Sequence, residues 1–260
     1  MNNTKAMATL LMVAFALTAC GGGGSSSPNT SSSNSPGTGG GSNSSGSDGS
    51  IAGRLDGSYA SFNSSGGGAE IGRLVESFDN KNKDVLVVDG KRIQLVYPGI
   101  SAGKFVIAND VVVGMNLSYA RYGAYLGGKD IYLYAQGTGT PDKNMPISGT
   151  AKYAGIAYVK GVNYQESGVK YNTADATANF TVDFGKKAIS GAIANIVDIN
   201  KKPANNIELS GVINGHQFYG RSLSGTHMEG DFFGPNADEI AGTFVNMGAG
   251  FGGAFGAKKQ

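Results

Sequence analysis

The chain has 260 residues, with 21 Lys and Arg against 19 Asp and Glu, and a single cysteine. That near-neutral balance argues against nucleic acid or an anionic membrane surface as a partner, because both call for dense basic charge. One cysteine also leaves no internal disulfide framework to build on.

The N-terminus reads as an export signal. Lys5 precedes the apolar stretch Ala6 to Leu17, and Leu17-Thr18-Ala19-Cys20 follows. A basic start, a short apolar core and small residues at the cut site are the layout of a secretory signal. The apolar stretch is too short to cross a bilayer, which takes about 20 residues. With cysteine at the cut edge, the segment resembles the bacterial lipobox, in which residues 1–19 are removed and Cys20 is acylated. More than one acyl chain on Cys20 would give the two signals that stable anchoring requires. Gly21, where a retention signal would place aspartate, favours the outer membrane of a Gram-negative bacterium.

Residues 21–50 are Gly, Ser, Asn, Thr and Pro with one charge, Asp48. Nothing there can be buried to offset ordering entropy. A Gly/Ser coil of about 30 residues spans roughly 30 Å, so the segment reads as a flexible tether from Cys20 to the folded part.

From residue 51 onward the composition is that of an all-β protein. That portion holds 33 of the 43 glycines, about twice the usual share of roughly 7%. They are dispersed among short β-branched and aromatic runs. Val85 to Val88 and Lys91 to Val96 flank Asp89-Gly90, a hairpin signal because a type I′ turn needs positive φ at both central residues. Lys104 to Ala108 and Val111 to Tyr119 are expected to pair across Asn109-Asp110. Ile131 to Gln136 forms a further strand.

Beyond residue 147 the alternation sharpens. Ala178, Phe180, Val182 and Phe184 alternate with Thr177, Asn179, Thr181 and Asp183, which is period two with one face buried. Strands are expected at Ala151 to Lys160, Thr177 to Phe184, Ala188 to Ile196 and Ile207 to Ile213. Others follow at Phe218 to Leu223, Thr226 to Phe233, Ile240 to Val245 and Phe251 to Ala257. Asn214-Gly215 marks a hairpin. Eight successive antiparallel strands at this spacing suggest an up-and-down barrel, whose closure removes exposed edges.

The run Thr140-Pro141-Asp142-Lys143-Asn144-Met145-Pro146-Ile147-Ser148-Gly149-Thr150 resembles the entry to the C-terminal barrel of transferrin-binding-protein-B-like surface lipoproteins. Asp231 to Phe244 and the ending Phe251 to Lys259 resemble the same barrel. Leu117-Ser118-Tyr119-Ala120-Arg121-Tyr122-Gly123 is similar to the last part of the family's handle domain. The resemblance implies a β-rich handle domain at 51–146 followed by an eight-stranded antiparallel barrel at 147–260. It implies passage through an outer-membrane translocon of the surface lipoprotein assembly modulator type. It further implies capture of haem or a host iron- or haem-carrying protein, for delivery to an outer-membrane, TonB-dependent importer. The alternative it carries is immune evasion or adhesion, by binding a host regulatory or surface protein.

Sites of chemistry are scarce. His216 sits at a hairpin tip and His227 shares a face with Glu229 and Asp231, so a wet outer-face histidine is expected at 227. Neither has metal-ligand spacing. Ser224, His227 and Asp231 supply the residue types of a triad without a nucleophile-elbow sequence. Gly248 to Gly253 matches G-x-G-x-x-G without a helix to follow. The expectation is no enzyme, no metal and no required cofactor. The clustered aromatics Tyr119, Tyr122 and Tyr125, with Arg121, are the candidate ligand residues. Tyrosine can stack on a porphyrin or ligate its iron, and Arg121 could meet a propionate. Plain strand packing is the competing account of the same tyrosines.

Overall fold

The computed structural model describes residues 55–63, 69–73, 82–88, 90–97, 99, 105–108, 110–127, 130–161, 172–197 and 202–260. The signal, Cys20 and the tether lie outside the described residues. Sixteen strands and one 3-10 turn organise what is described.

The first eight strands are β1 (Asp56–Asn63), β2 (Ala69–Arg73), β3 (Val85–Val88), β4 (Lys91–Gln94), β5 (Phe105–Ala108), β6 (Val111–Gly114), β7 (Ala120–Tyr125) and β8 (Asp130–Gly137). Six of them form an antiparallel sheet in the order β2-β1-β8-β7-β6-β5, and β3-β4 is a separate hairpin. The hairpin buries Leu86, Val88 and Ile93 against Val111, Val113 and Tyr134 of the sheet.

Two features depart from the sequence reading. β1 and β2 carry no clear apolar alternation, because β1 buries small and polar side chains, Ser58 and Ala60, on its barrel-facing side. The strand expected over Val111 to Tyr119 ends at Gly114, and a new strand, β7, begins at Ala120. The chain leaves the sheet between them because the Glu239 carboxylate accepts hydrogen bonds from the backbone N–H of Ser118 and Tyr119, at 2.7 and 2.8 Å.

The remaining strands are β9 (Thr150–Gly161), β10 (Asn172–Asp183), β11 (Ala188–Ala194), β12 (Ile207–Asn214), β13 (Gln217–Arg221), β14 (His227–Phe233), β15 (Glu239–Asn246) and β16 (Phe251–Lys259). They close into the expected eight-stranded antiparallel barrel, with β16 pairing back onto β9. The inward residues of the period-two pattern fill it. Phe180 stacks on Phe255 at 4.6 Å between ring centroids, and Phe218 meets Phe232 edge-on at 5.5 Å. Rings at such distances add stabilisation beyond their buried area.

The sheet lies across one wall of the barrel. Leu117, Ala120, Tyr122 and Ala135 pack on Ile156, Phe233, Ala241 and Ala254. Ala60, Leu133 and Ala124 pack on Tyr158 and Val245. β15, in the middle of this wall, is buried along its whole length. Small outward residues allow the approach. A Cβ at Gly256 would lie 2.2 Å from the Tyr122 ring.

A connecting strap, residues 138–149, joins sheet to barrel and runs along one end of it. Gly139 bridges to Phe233, the backbone N–H of Thr140 donates to Phe232 O, and Met145 packs against the barrel core. This end also holds the β10–β11 turn, the β12–β13 hairpin, the β14–β15 turn and the end of β16. The opposite end holds the β11–β12, β13–β14 and β15–β16 connections.

Candidate functional site

The four residues expected to form a ligand surface are on or beside β7, and the alternation of that strand sends them in different directions. Tyr122 faces the barrel and is fully buried. Its hydroxyl donates to Asn116 Oδ1 at 2.5 Å, and its ring meets Phe105 edge-on at 5.8 Å. Arg121 points the other way. Its Nε lies 2.9 Å from Asp84 Oδ1, and its Nη1 donates to the carbonyls of Leu117 and Ala120. This clamps the residue before β3 to β7 and uses the guanidinium within the fold. Tyr125 stacks on Tyr132 at 6.3 Å and is half-buried. Only Tyr119 is exposed, at 38%.

Tyr119, Arg121, Tyr122 and Tyr125 therefore do not share a surface. The neighbouring tyrosines are also structural. Tyr132 lies under the Lys91 ammonium, and the Tyr134 hydroxyl donates to Val112 O. Burial pushes the Tyr122 and Tyr134 phenols well above their ordinary range. A phenol held protonated in this way is a poor source of the phenolate that iron would require.

A second cluster, which sequence reasoning missed, lies where strap, sheet and barrel meet. The Asn214-Gly215 hairpin, with Gly215 at φ +58, presents His216 to the strap. Asp142, in the strap's 3-10 turn, accepts from the His216 backbone N–H at 2.9 Å and from Nδ1 at 2.7 Å. His216 Nε2 faces Asp56 of β1 at 3.5 Å and Asp231 of β14 at 3.9 Å. Asp231 in turn receives Arg73 Nη2 of β2 at 2.5 Å. Five side chains from two sheet strands, the strap, a barrel hairpin and a barrel strand thus form one ionic junction.

Burial opposes a charged His216, but its contacts with Asp56 and Asp142 and the nearby Asp231 charge outweigh it, pushing its pKa up to about 9. Burial raises the Asp231 carboxyl above its ordinary range, and Arg73 and His216 pull it part of the way back. The expected hairpin-tip histidine is thus buried at 4% exposure, because the strap folds over the tip. The outer face of β14 is not wet either. Asp231 is fully buried under the sheet, and His227 is half-buried, 3.9 Å from Glu229. No charge pattern in the sequence marks these residues as partners. The one available signal is the pair of carboxylates, Glu229 and Asp231, on alternate positions of an otherwise apolar strand.

The triad-type residues are held apart by other partners. Ser224 bonds to Ser222 and Thr226, while Asp231 is taken by Arg73 and His216. Gly248 to Gly253 forms the β15–β16 turn and the start of β16. Among the described residues, no group of three His, Cys, Asp or Glu could hold a metal ion.

The barrel end away from the strap presents a different surface. Asn246 Nδ2 donates to Ser224 O at 2.9 Å and to Thr226 Oγ1 at 3.2 Å, lacing the β13–β14 and β15–β16 turns together. Leu223 stands fully exposed on this scaffold, with Met247 and Val197 exposed nearby in the fold's topology.

Residues 145–259 match the family model described as the C-lobe and N-lobe beta barrels of Tf-binding protein B. Transferrin-binding protein B of Moraxella catarrhalis is 28% identical over 178 residues, which cover 56% of this chain and 24% of the relative. An uncharacterized protein of Haemophilus influenzae is 26% identical over 211 residues, 72% of this chain and 70% of that one. Among solved structures, isotype 1 transferrin binding protein B from serogroup B Neisseria meningitidis aligns with a TM-score of 0.56 at 23% identity. It covers 80% of this chain and 43% of its own. The intact Ap-TbpB, with N and C lobes, gives 0.51 at 26% identity, over 80% of this chain and 46% of its own. The chain thus spans about a quarter of the Moraxella relative and less than half of these solved chains.

Proposed function

Through its C-terminal barrel the chain belongs to the transferrin-binding-protein-B-like family, and on that premise we propose that it is a lipid-anchored surface protein that captures a host-derived ligand. The ligand class is a host iron- or haem-carrying protein, or haem itself, passed to a TonB-dependent importer of the outer membrane. In this reading Cys20 carries the acyl chains and residues 21–50 form the tether. Residues 51–146 act as the handle, and the barrel from 147 to 260 is what a translocon of the surface lipoprotein assembly modulator type engages. The observation that carries the reading is the barrel's match to the family together with a β-sheet laid across its wall.

A protein ligand is favoured over free haem. Of the four residues proposed for haem, Tyr122 and Arg121 are consumed inside the fold and only Tyr119 is exposed. The exposed apolar side chains Leu223 and Met247 lie at the barrel end away from the strap, on a surface that a protein partner would cover. The same side chains keep the second reading in view, in which the partner is a host regulatory or surface protein and the role is immune evasion or adhesion.

Two measurements on the processed chain decide between these. Haem titration followed by visible absorbance tests the first ligand class, and a saturable Soret band lost in Tyr119→Ala would place haem at the handle. Serum proteins retained on the immobilised chain, and released by Leu223→Asp, would establish a protein ligand. An iron or haem carrier among them supports acquisition, and a regulator of host defence supports evasion. The absence of both a Soret band and a retained protein would overturn the capture reading.

A further inference from the structure

Six lysines, scattered over more than a hundred positions of sequence, meet at one end of the molecule. Lys143 is in the strap's 3-10 turn, Lys152 near the start of β9, Lys186 and Lys187 in the β10–β11 turn, and Lys258 and Lys259 at the end of β16. Strand register brings them together. Lys152 pairs with Thr181 two residues before the end of β10, and Lys259 pairs with Tyr153 next to Lys152. Asn144, beside Lys143, donates to Pro235 O in the turn that leads to Glu239, the partner of Lys258. All six lysines are exposed.

The carboxylates at this end are engaged. Asp142, with an exposed side chain, holds His216; Asp183 lies 3.1 Å from Lys186; and buried Glu239 accepts two backbone N–H groups and lies 4.0 Å from Lys258. Asp56 and Asp231 are buried in the ionic junction. Asp238, half-buried, accepts from the Asn236 N–H. Lys152, Lys187 and Lys259 stand exposed outside these ion pairs. The overall near-neutral charge of the chain hides this, because it averages over both ends.

The chain enters the described fold at Leu55 and Asp56, and Asp56 faces His216 at the same end. On the reading above, residues 21–50 would be a Gly/Ser coil with a typical span of about 30 Å, and its far end would be the acylated Cys20. That places the lysine-bearing end within tether reach of the lipid surface.

We propose that this end of the barrel docks on anionic lipid headgroups, so that the tether and the lysines hold the protein by the same end. Each lysine close to an anionic surface contributes about a fivefold gain in partitioning, and the attraction falls off over a Debye length of about 8–10 Å. Docking in this sense would turn Val197, Leu223 and Met247, at the other end, away from the lipid. The inference rests on the lipid-anchor reading for its geometry, but its test removes the anchor.

The test uses the chain from residue 20 carrying Cys20→Ser, so that no acyl chain contributes. Flotation is measured with vesicles of phosphatidylcholine alone and with added phosphatidylglycerol, at low and high salt. Binding to the anionic vesicles only, weakened by salt, is expected. Lys152→Gln/Lys187→Gln/Lys259→Gln should weaken it on the order of a hundredfold, with an unchanged melting temperature because all three side chains are exposed. A control of equal charge change away from this end, Arg92→Gln/Lys202→Gln/Arg221→Gln, should keep most of the binding. Absence of binding, equal binding to neutral vesicles, or equal loss in the two triple variants would each overturn the proposal. Whether Cys20 is acylated is read separately, from the mass of the native N-terminal peptide.

Discussion

Arg73 and Asp231 meet at 2.5 Å across the seam between sheet and barrel, although 158 positions separate them in sequence. Asp231 is fully buried and Arg73 largely so. A buried pair of this kind adds little net stability against an apolar substitute, yet breaking it strands a charge. Arg73→Met should therefore cost about 3–5 kcal/mol, read from urea denaturation. The double change Arg73→Met/Asp231→Leu should recover most of that loss. If the single change costs nothing, the seam does not depend on this contact.

His216 gives the fold a pH dependence with a definite sign. Its pKa is raised from an ordinary 6.5 to about 9, so the folded state binds its proton more tightly than the unfolded chain. The stabilisation is fully present below about pH 6.5 and is lost as pH rises through about 9. It amounts to on the order of 3 kcal/mol, from 1.36 kcal/mol per pKa unit. Melting temperatures should fall between pH 7 and pH 10 in the native chain, and His216→Gln should flatten that part of the profile. An equally steep profile in the variant would locate the dependence elsewhere.

Gly256 sets how closely the sheet approaches the barrel. A methyl group there would sit 2.2 Å from the Tyr122 ring and 2.7 Å from Leu117. Tyr122 is fully buried and bonded to Asn116, so it cannot swing aside. Gly256→Ala should cost about 1–3 kcal/mol through overpacking. Hydrogen exchange should quicken in β7 more than in β11, which lies in the wall the sheet does not cover.

Phe180, Val182 and Phe184 are buried together inside the barrel. Phe180→Ala removes a ring that stacks on Phe255, and should destabilise the protein by about 3–5 kcal/mol in denaturant titration. A cost near zero would mean that the core closes over the gap.

Cys20→Ser should abolish acylation and release the protein from the membrane fraction at high salt, where any contact through lysines is screened. Mass spectrometry of the N-terminal peptide and fractionation of cells would record both. Persistent attachment of the variant in high salt would sink the lipid anchor.

The barrel was legible because its signal is local. Along β10 the alternation of Ala178, Phe180, Val182 and Phe184 with polar neighbours fixes which face is buried, whatever lies across it. The same logic found β3 and β4, where Asp-Gly marks the turn. It failed at β1, whose buried face is small and polar, and at the Met115 to Tyr119 detour, which Glu239 imposes from far along the chain. The tyrosines around β7 misled for a related reason. Aromatic residues read alike whether they cover a core or a ligand, and only the neighbour across the seam distinguishes the two.

By itself, then, the sequence determined an antiparallel barrel read from period-two strands, and it carries the expectation of an export signal with a cysteine at its cut site and of a Gly/Ser tether. These depend on composition and on residues two to four apart. The tertiary structure alone decided that one barrel wall is covered by the sheet, and that Arg73, Asp231, His216, Asp142 and Asp56 form one junction. It alone gathered six lysines at the end where the described fold begins, at Leu55 and Asp56. Contacts and charge density between distant segments depend on which strand ends fold to the same place, and that is set by closure and register rather than by any local run of residues.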